Sequence, residues 1–107
     1  MERLLALPNP PTAVFCSNDD MAIGAMNAIF AKGLRVPDDV SVIGFDDIGF
    51  SQYITPRLST VKRPVEKISV LGAQKLLSLI SKPETKAEKI LENTEFMVRD
   101  SVRRLTT

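Results

Sequence analysis

A chain of 107 residues, 44% of them apolar, fits one domain, and surface-to-volume scaling lets it bury about two thirds of what its unfolded form exposes. Fourteen Lys and Arg stand against thirteen Asp and Glu, and the basic residues are scattered, so no electrostatic footprint for nucleic acid or a membrane surface stands out. One Cys and no His exclude an internal disulfide, a zinc cluster and a His-based catalytic triad.

The opening MERLLALPNPP has too short an apolar stretch for export, and no apolar run reaches the roughly 18 residues of a membrane span. The expected setting is therefore cytoplasmic, reducing and away from the membrane. Glu2 to Leu7 is helix-like but shorter than the roughly 12 to 15 residues that hold a helix alone, so it reads as the end of a longer one. Pro8, Pro10 and Pro11 stop it, and Thr12 to Cys16 form an apolar run suited to a buried strand. A helical pattern covers 19 to 32 and ends at Gly33, which can take the left-handed cap. Val40 to Phe45 follow the turn residues Pro37, Asp38 and Asp39 as a second interior strand.

Residues 46 to 57 carry Gly49 and Pro56 without a clear period and read as a loop. Leu58 to Lys62 form a weaker third strand. From Pro64 to about Ser81, Val65, Ile68, Leu71, Gly72, Leu76 and Leu79 keep three-or-four spacing, the mark of an amphipathic helix. Residues 82 to 89 are a polar turn, and the chain from Ile90 to Asp100 reads as one or two extended segments. Strands alternating with helices predict an α/β fold with a parallel sheet and flanking helices. In open sheets of this kind ligands lie beyond the carboxyl ends of the strands. Here those ends carry Ser17 to Asp20, Asp46 to Ile48, and Lys62 to Arg63.

Asn18, Asp19 and Asp20 have an ordinary explanation, since Ser, Asn and Asp cap helices and acidic residues suit the positive end of the helix dipole. Capping accounts for one or two of the three. A carboxylate here is also placed to accept hydrogen bonds from a small ligand, with an amide beside it able to donate and accept. Asp46 and Asp47 are either part of the same crevice or a solvated turn, and Arg63 either forks onto a ligand oxygen or pairs with an Asp. Four carboxylates raise the alternative of a magnesium-dependent phosphotransferase, but no glycine-rich phosphate loop accompanies them. Cys16 reads as a small buried apolar residue. Phe45 reads as core, and Phe50 and Tyr53 as loop anchors or pocket walls. The helix after Asp20 is apolar on all sides, with Met21, Ala22, Ala25, Met26 and Ile29 among its residues. A second layer or another subunit is needed to cover it, so these five are the candidate dimer interface.

The motifs PTAVFCSNDDMAIGAMNAI, KGLRVPDDVSVIGFDDIGFSQYITPRLSTVKRPVEKISVLGAQKLL and ENTEFMVRDS, in that order, resemble the C-terminal part of a LacI-family (lactose repressor-like) transcription regulator. The resemblance covers Pro11 to Ser101. It implies a periplasmic-binding-protein-like (type I) fold of two α/β lobes, with a sugar or nucleobase-like effector in the cleft. It also implies a homodimer, and operator DNA held by an N-terminal helix-turn-helix that the residues given do not contain. No enzymatic activity, cofactor or metal is implied. By position it makes Asp19 a ligand contact with Asn18 beside it and Arg63 a residue that reaches the cleft. Asp46 is kept as a further ligand candidate, and Ser17 and Asp20 are left to start the helix.

The resemblance also implies that the chain changes lobes near Arg63. Residues 1–63 are then the C-terminal lobe, 64–93 a helix and strand of the N-terminal lobe, and 94–107 a returning strand and tail. The helix from Pro64 should accordingly lack its usual cover and self-associate, swap or be poorly ordered. A periplasmic-type sugar-binding protein of a transporter, with the same fold, is the alternative reading.

Overall fold

The computed structural model describes residues 1–106. Its elements run α1 (Glu2–Leu5), β1 (Ala13–Phe15), α2 (Asp19–Ala31), β2 (Ser41–Asp46), a short 3-10 helix (Gly49–Gln52), β3 (Ser59–Lys62), α3 (Val65–Ser81) and β4 (Glu95–Met97). The chain divides into two compact units, Met1–Lys62 with the segment from Glu95 onward, and Arg63–Thr94.

In the first unit the sheet order is β1-β2-β3-β4. β1 pairs with β2 and β2 with β3 in parallel, while β4 runs antiparallel to β3 and makes the sheet mixed. The register sets Val14 beside Val42, Gly44 beside Thr60 and Asp46 beside Lys62. The strands expected from the sequence are thus found within a residue or so, and the extended stretch near the C-terminus supplies the antiparallel edge.

The core is built where α2 covers the sheet. Ala22, Met26 and Ile29, at three-or-four spacing on one side of α2, pack with Val36, Val40, Val42 and Leu58. Buried polar residues join the C-terminal segment to the sheet. Ser101 Oγ donates to the Val42 carbonyl at 2.6 Å and accepts from the Ser59 N–H at 2.8 Å, stitching the C-terminal segment to β2 and β3. Among the described residues no buried side-chain nitrogen or oxygen lacks a hydrogen-bond partner.

In the second unit α3 is formed over 17 residues, yet none of them is buried. Val65, Ile68, Val70, Leu76, Leu77 and Ile80 all stand exposed. Ion pairs from Lys67 to Glu92 at 3.0 Å and from Lys75 to Glu88 at 3.3 Å hold the following segment alongside the helix. No helix among the described residues is long and apolar enough to cross a membrane.

Candidate functional site

The carboxyl ends of β1 and β2 bring Asn18, Asp19, Asp46 and Asp47 to one edge of the first unit. Asn18 has an extended backbone, and its Oδ1 accepts from the Met21 N–H at 2.8 Å. It is therefore the cap of α2, the task that the sequence had suggested for Ser17 and Asp20. The cap uses its carbonyl oxygen and leaves the amide nitrogen as a donor at the strand end.

Asp19 is turned the other way. It has no exposed surface, and one carboxylate oxygen accepts from the Ile48 N–H at 2.9 Å and the Ser51 hydroxyl at 2.5 Å. The other accepts from the Thr60 hydroxyl at 2.5 Å. A buried carboxylate with three internal donors is satisfied by the protein itself, so Asp19 sits behind the strand-end surface that the sequence had assigned to it. It ties together the start of α2, the 3-10 helix and β3. Ser51 and Thr60, its hydroxyl partners, were not marked by the sequence, because isolated Ser and Thr carry no signal of which distant acceptor they meet.

Gly44 makes this arrangement possible. A Cβ there would collide with the Asp19 carboxylate and come within 3.0 Å of Leu58 Cδ2. The GFDD motif thus begins with a glycine demanded by the approach of α2 to β2.

Asp46 ends β2, half-buried, with φ at 125°, and Asp47 follows with φ at 59°. Two consecutive residues other than glycine in positive-φ conformations are uncommon and strained. Asp47 is held by Arg99, whose Nη2 lies 2.7 Å from its Oδ1, with both side chains largely buried. Arg99 was missed as a site-building residue, since its partner lies 52 residues away. Arg63 is exposed and opens the second unit.

The candidate dimer residues divide. Ala22, Met26 and Ile29 are buried within this chain's own first unit, against the expectation that they face a second subunit, because they form the stripe that α2 lays on its sheet, while Ala25 is buried outside that stripe. Met21 is 56% exposed and is the one of the five that faces outward. With Gly24, Ala25 and Ala28 it lines a groove of about 630 Å³ that also takes in Leu4, Val14 and Phe15. Neither Asn18, Asp19 nor Asp46 lines this groove. Cys16 beside it is half-buried, and burial pushes its thiol up from the ordinary value, in keeping with an inert residue. Phe50 and Tyr53 are strongly exposed on the 3-10 helix and its end. Among the described residues no group of three or more His, Cys, Asp or Glu is arranged to hold a metal ion.

Residues 1–102 match the family described as the periplasmic binding protein-like domain, and the chain belongs to that family in the form carried by LacI-family regulators. It is 98% identical, over its whole length, to 32% of a probable HTH-type transcriptional repressor ExuR of Bacillus subtilis (strain 168). Its fold matches a LacI family transcriptional regulator from Enterococcus faecium, with bound ribose, at a TM-score of 0.86 and 33% identity, covering 97% of this chain and 38% of that one. It matches a lac repressor dimer bound to operator and the anti-inducer ONPF at a TM-score of 0.83 and 34% identity, over 94% of this chain and 35% of that one. The chain thus spans about a third of the length of the relatives it matches, and these are regulators rather than enzymes.

Proposed function

We propose that the chain is the effector-sensing and dimerising part of a cytoplasmic LacI-type regulator that binds operator DNA through a helix-turn-helix outside the residues given. The observation that carries this is the placement of the capping Asn18 and the strained Asp46 at the carboxyl ends of adjacent parallel strands, in a chain of this family. Asn18 and Asp46 are the first unit's ligand contacts in this reading, and Asp19 contributes by holding Asn18 and the loop after β2 in place. The effector is a small polar molecule, a sugar by preference, since the Enterococcus relative was crystallised with ribose.

Such a protein works by population shift: the effector favours one arrangement of the lobes, and the subunit interface carries that preference to the DNA-binding heads. The homodimer rests on the outward stripe of Met21, Gly24 and Ala28 and on the dimeric state of the related lac repressor.

The test is made on the whole regulator. Ribose, sucrose, cellobiose and hypoxanthine are titrated while the melting temperature is followed, because a ligand bound only by the folded state raises it. One of them should raise it, and Asn18→Ala and Asp46→Ala should each abolish the rise while leaving the unliganded value within a few degrees. No shift with any of the four, or a full shift in both variants, would remove the reading. An upstream coding sequence with a signal peptide in place of a helix-turn-helix would transfer the chain to the transporter class.

A further inference from the structure

The loop between β2 and β3 leaves the sheet through two strained residues and is closed by a side chain from another part of the chain. Arg99 lies just beyond β4, and its guanidinium forks across the base of that loop. Nη2 donates to Asp47 Oδ1 at 2.7 Å on the outgoing side, and Nη1 donates to the Leu58 carbonyl at 2.9 Å on the returning side. Its backbone N–H donates to Ser59 Oγ at 2.8 Å, so the fork is anchored at both ends. The side chains of Arg99 and Asp47 keep only 12% and 9% of their exposure, which removes most of the solvent screening that weakens surface pairs. The residue after Asp47 is Ile48, whose N–H donates to Asp19, and Asp19 directly follows Asn18.

We infer that Arg99 is a positioning residue for the strand-end site. It clamps the base of the 47–58 loop, holds the Asp46–Asp47 turn in its left-handed conformation, and through Ile48 keeps Asp19 and Asn18 in register with that turn. Calling these residues a ligand site rests on the function proposed above, whereas the clamp itself is a property of the unliganded chain. The left-handed turn is the source of the need. An Asp at φ 59° reverts to an ordinary conformation when nothing holds it, and reversion moves the Ile48 N–H away from Asp19.

The experiment is amide hydrogen exchange on the chain without ligand, comparing Arg99→Met with the original residue. Protection of the Ile48 and Ser51 amides should fall at least tenfold, while Val42 and Ile29, in the core, fall by much less. Arg99→Lys, which keeps a cation for Asp47 but cannot fork onto Leu58, should restore part of the Ile48 protection. Asp47→Gly should loosen Ile48 less than Asp47→Ala, because glycine takes the positive φ without strain. Unchanged Ile48 exchange in Arg99→Met would overturn the clamp, as would a fall equal to that of Val42. Equal loosening in Asp47→Gly and Asp47→Ala would overturn the role of the strained turn. No ligand enters the measurement, so a negative result leaves the ligand reading intact, and a failed titration leaves the clamp intact.

Discussion

Thr60 Oγ1 donates to Asp19 Oδ1 at 2.5 Å, joining the first turn of α2 to the middle of β3 across 41 residues of chain. With Ser51 and the Ile48 N–H on the other oxygen, the contact turns a helix-starting carboxylate into the bolt between helix, loop and sheet. Asp19→Ala leaves two buried hydroxyls and the half-buried Ile48 N–H without an acceptor, and each buried orphan costs about 1–3 kcal/mol, so the expected loss is about 3 kcal/mol. Thr60→Val removes one donor and keeps the other two bonds, for about 1–2 kcal/mol. Urea denaturation at neutral pH reads both. Asp19→Ala within about 0.5 kcal/mol of the original chain would show that the carboxylate anchors nothing.

Gly44 and Gly24 test the same packing from opposite signs. A methyl group at 44 meets the Asp19 carboxylate and Leu58, both fixed by their own contacts, so Gly44→Ala should destabilise by about 2–3 kcal/mol through overpacking. A Cβ at 24 has nothing within 4 Å and lies inside α2, so Gly24→Ala should stabilise by about 0.5–1 kcal/mol by helix propensity alone. Denaturation midpoints of the two variants should therefore move in opposite directions. A shift of both in one direction would contradict the geometry at one of these positions.

The elements of the fold were legible in the sequence because they rest on local signals. β2 is a β-branched run, α2 begins after a cap residue and ends before Gly33, and α3 shows three-or-four spacing over 17 residues. The gathering of Asn18, Asp46 and Asp47 at one edge was legible too, since strand order alone sends these polar loop residues there. What Asp19 does there was not. Whether a carboxylate at a strand end faces solvent or the core depends on which hydroxyls come back from 32 and 41 residues away, and Ser51 and Thr60 look like any others in one dimension. The inner and outer sides of α2 were merged for a related reason. Ala, Gly, Ile and Met surround the helix, so composition did not reveal that Ala22, Met26 and Ile29 form the stripe laid on the sheet.

Acid should weaken two surface clasps in a defined order of cause. The Arg35 side chain donates to Asp39 and holds its carboxyl below the ordinary range, and Arg57 does the same for Asp100. For each, the folded value lies below the unfolded one of about 3.9, so the stabilisation is fully present above that value and is lost as pH falls through the folded one. Arg35→Ala should raise the Asp39 value and Arg57→Ala the Asp100 value, each read by carboxyl titration in NMR. The stability difference between each variant and the original should shrink at high salt and vanish in strong acid, since both pairs face solvent. A difference that persists in strong acid would assign the effect to packing of the Arg stem instead.

The exposed face of α3 makes the last prediction. Leu76, Leu77 and Ile80 are 59%, 64% and 68% exposed on a helix with no buried residue, a concentration of apolar surface that water disfavours. Association of the isolated chain should therefore run through this face and rise with concentration. Leu76→Glu with Leu77→Lys should lower the sedimentation-derived mass at high concentration. Because neither side chain packs in the core, unfolding at low concentration should change by no more than about 0.5 kcal/mol per site. If the double variant associates as strongly as the original chain, the contact lies elsewhere, and Met21→Glu on the outward stripe of α2 becomes the change that should disperse it.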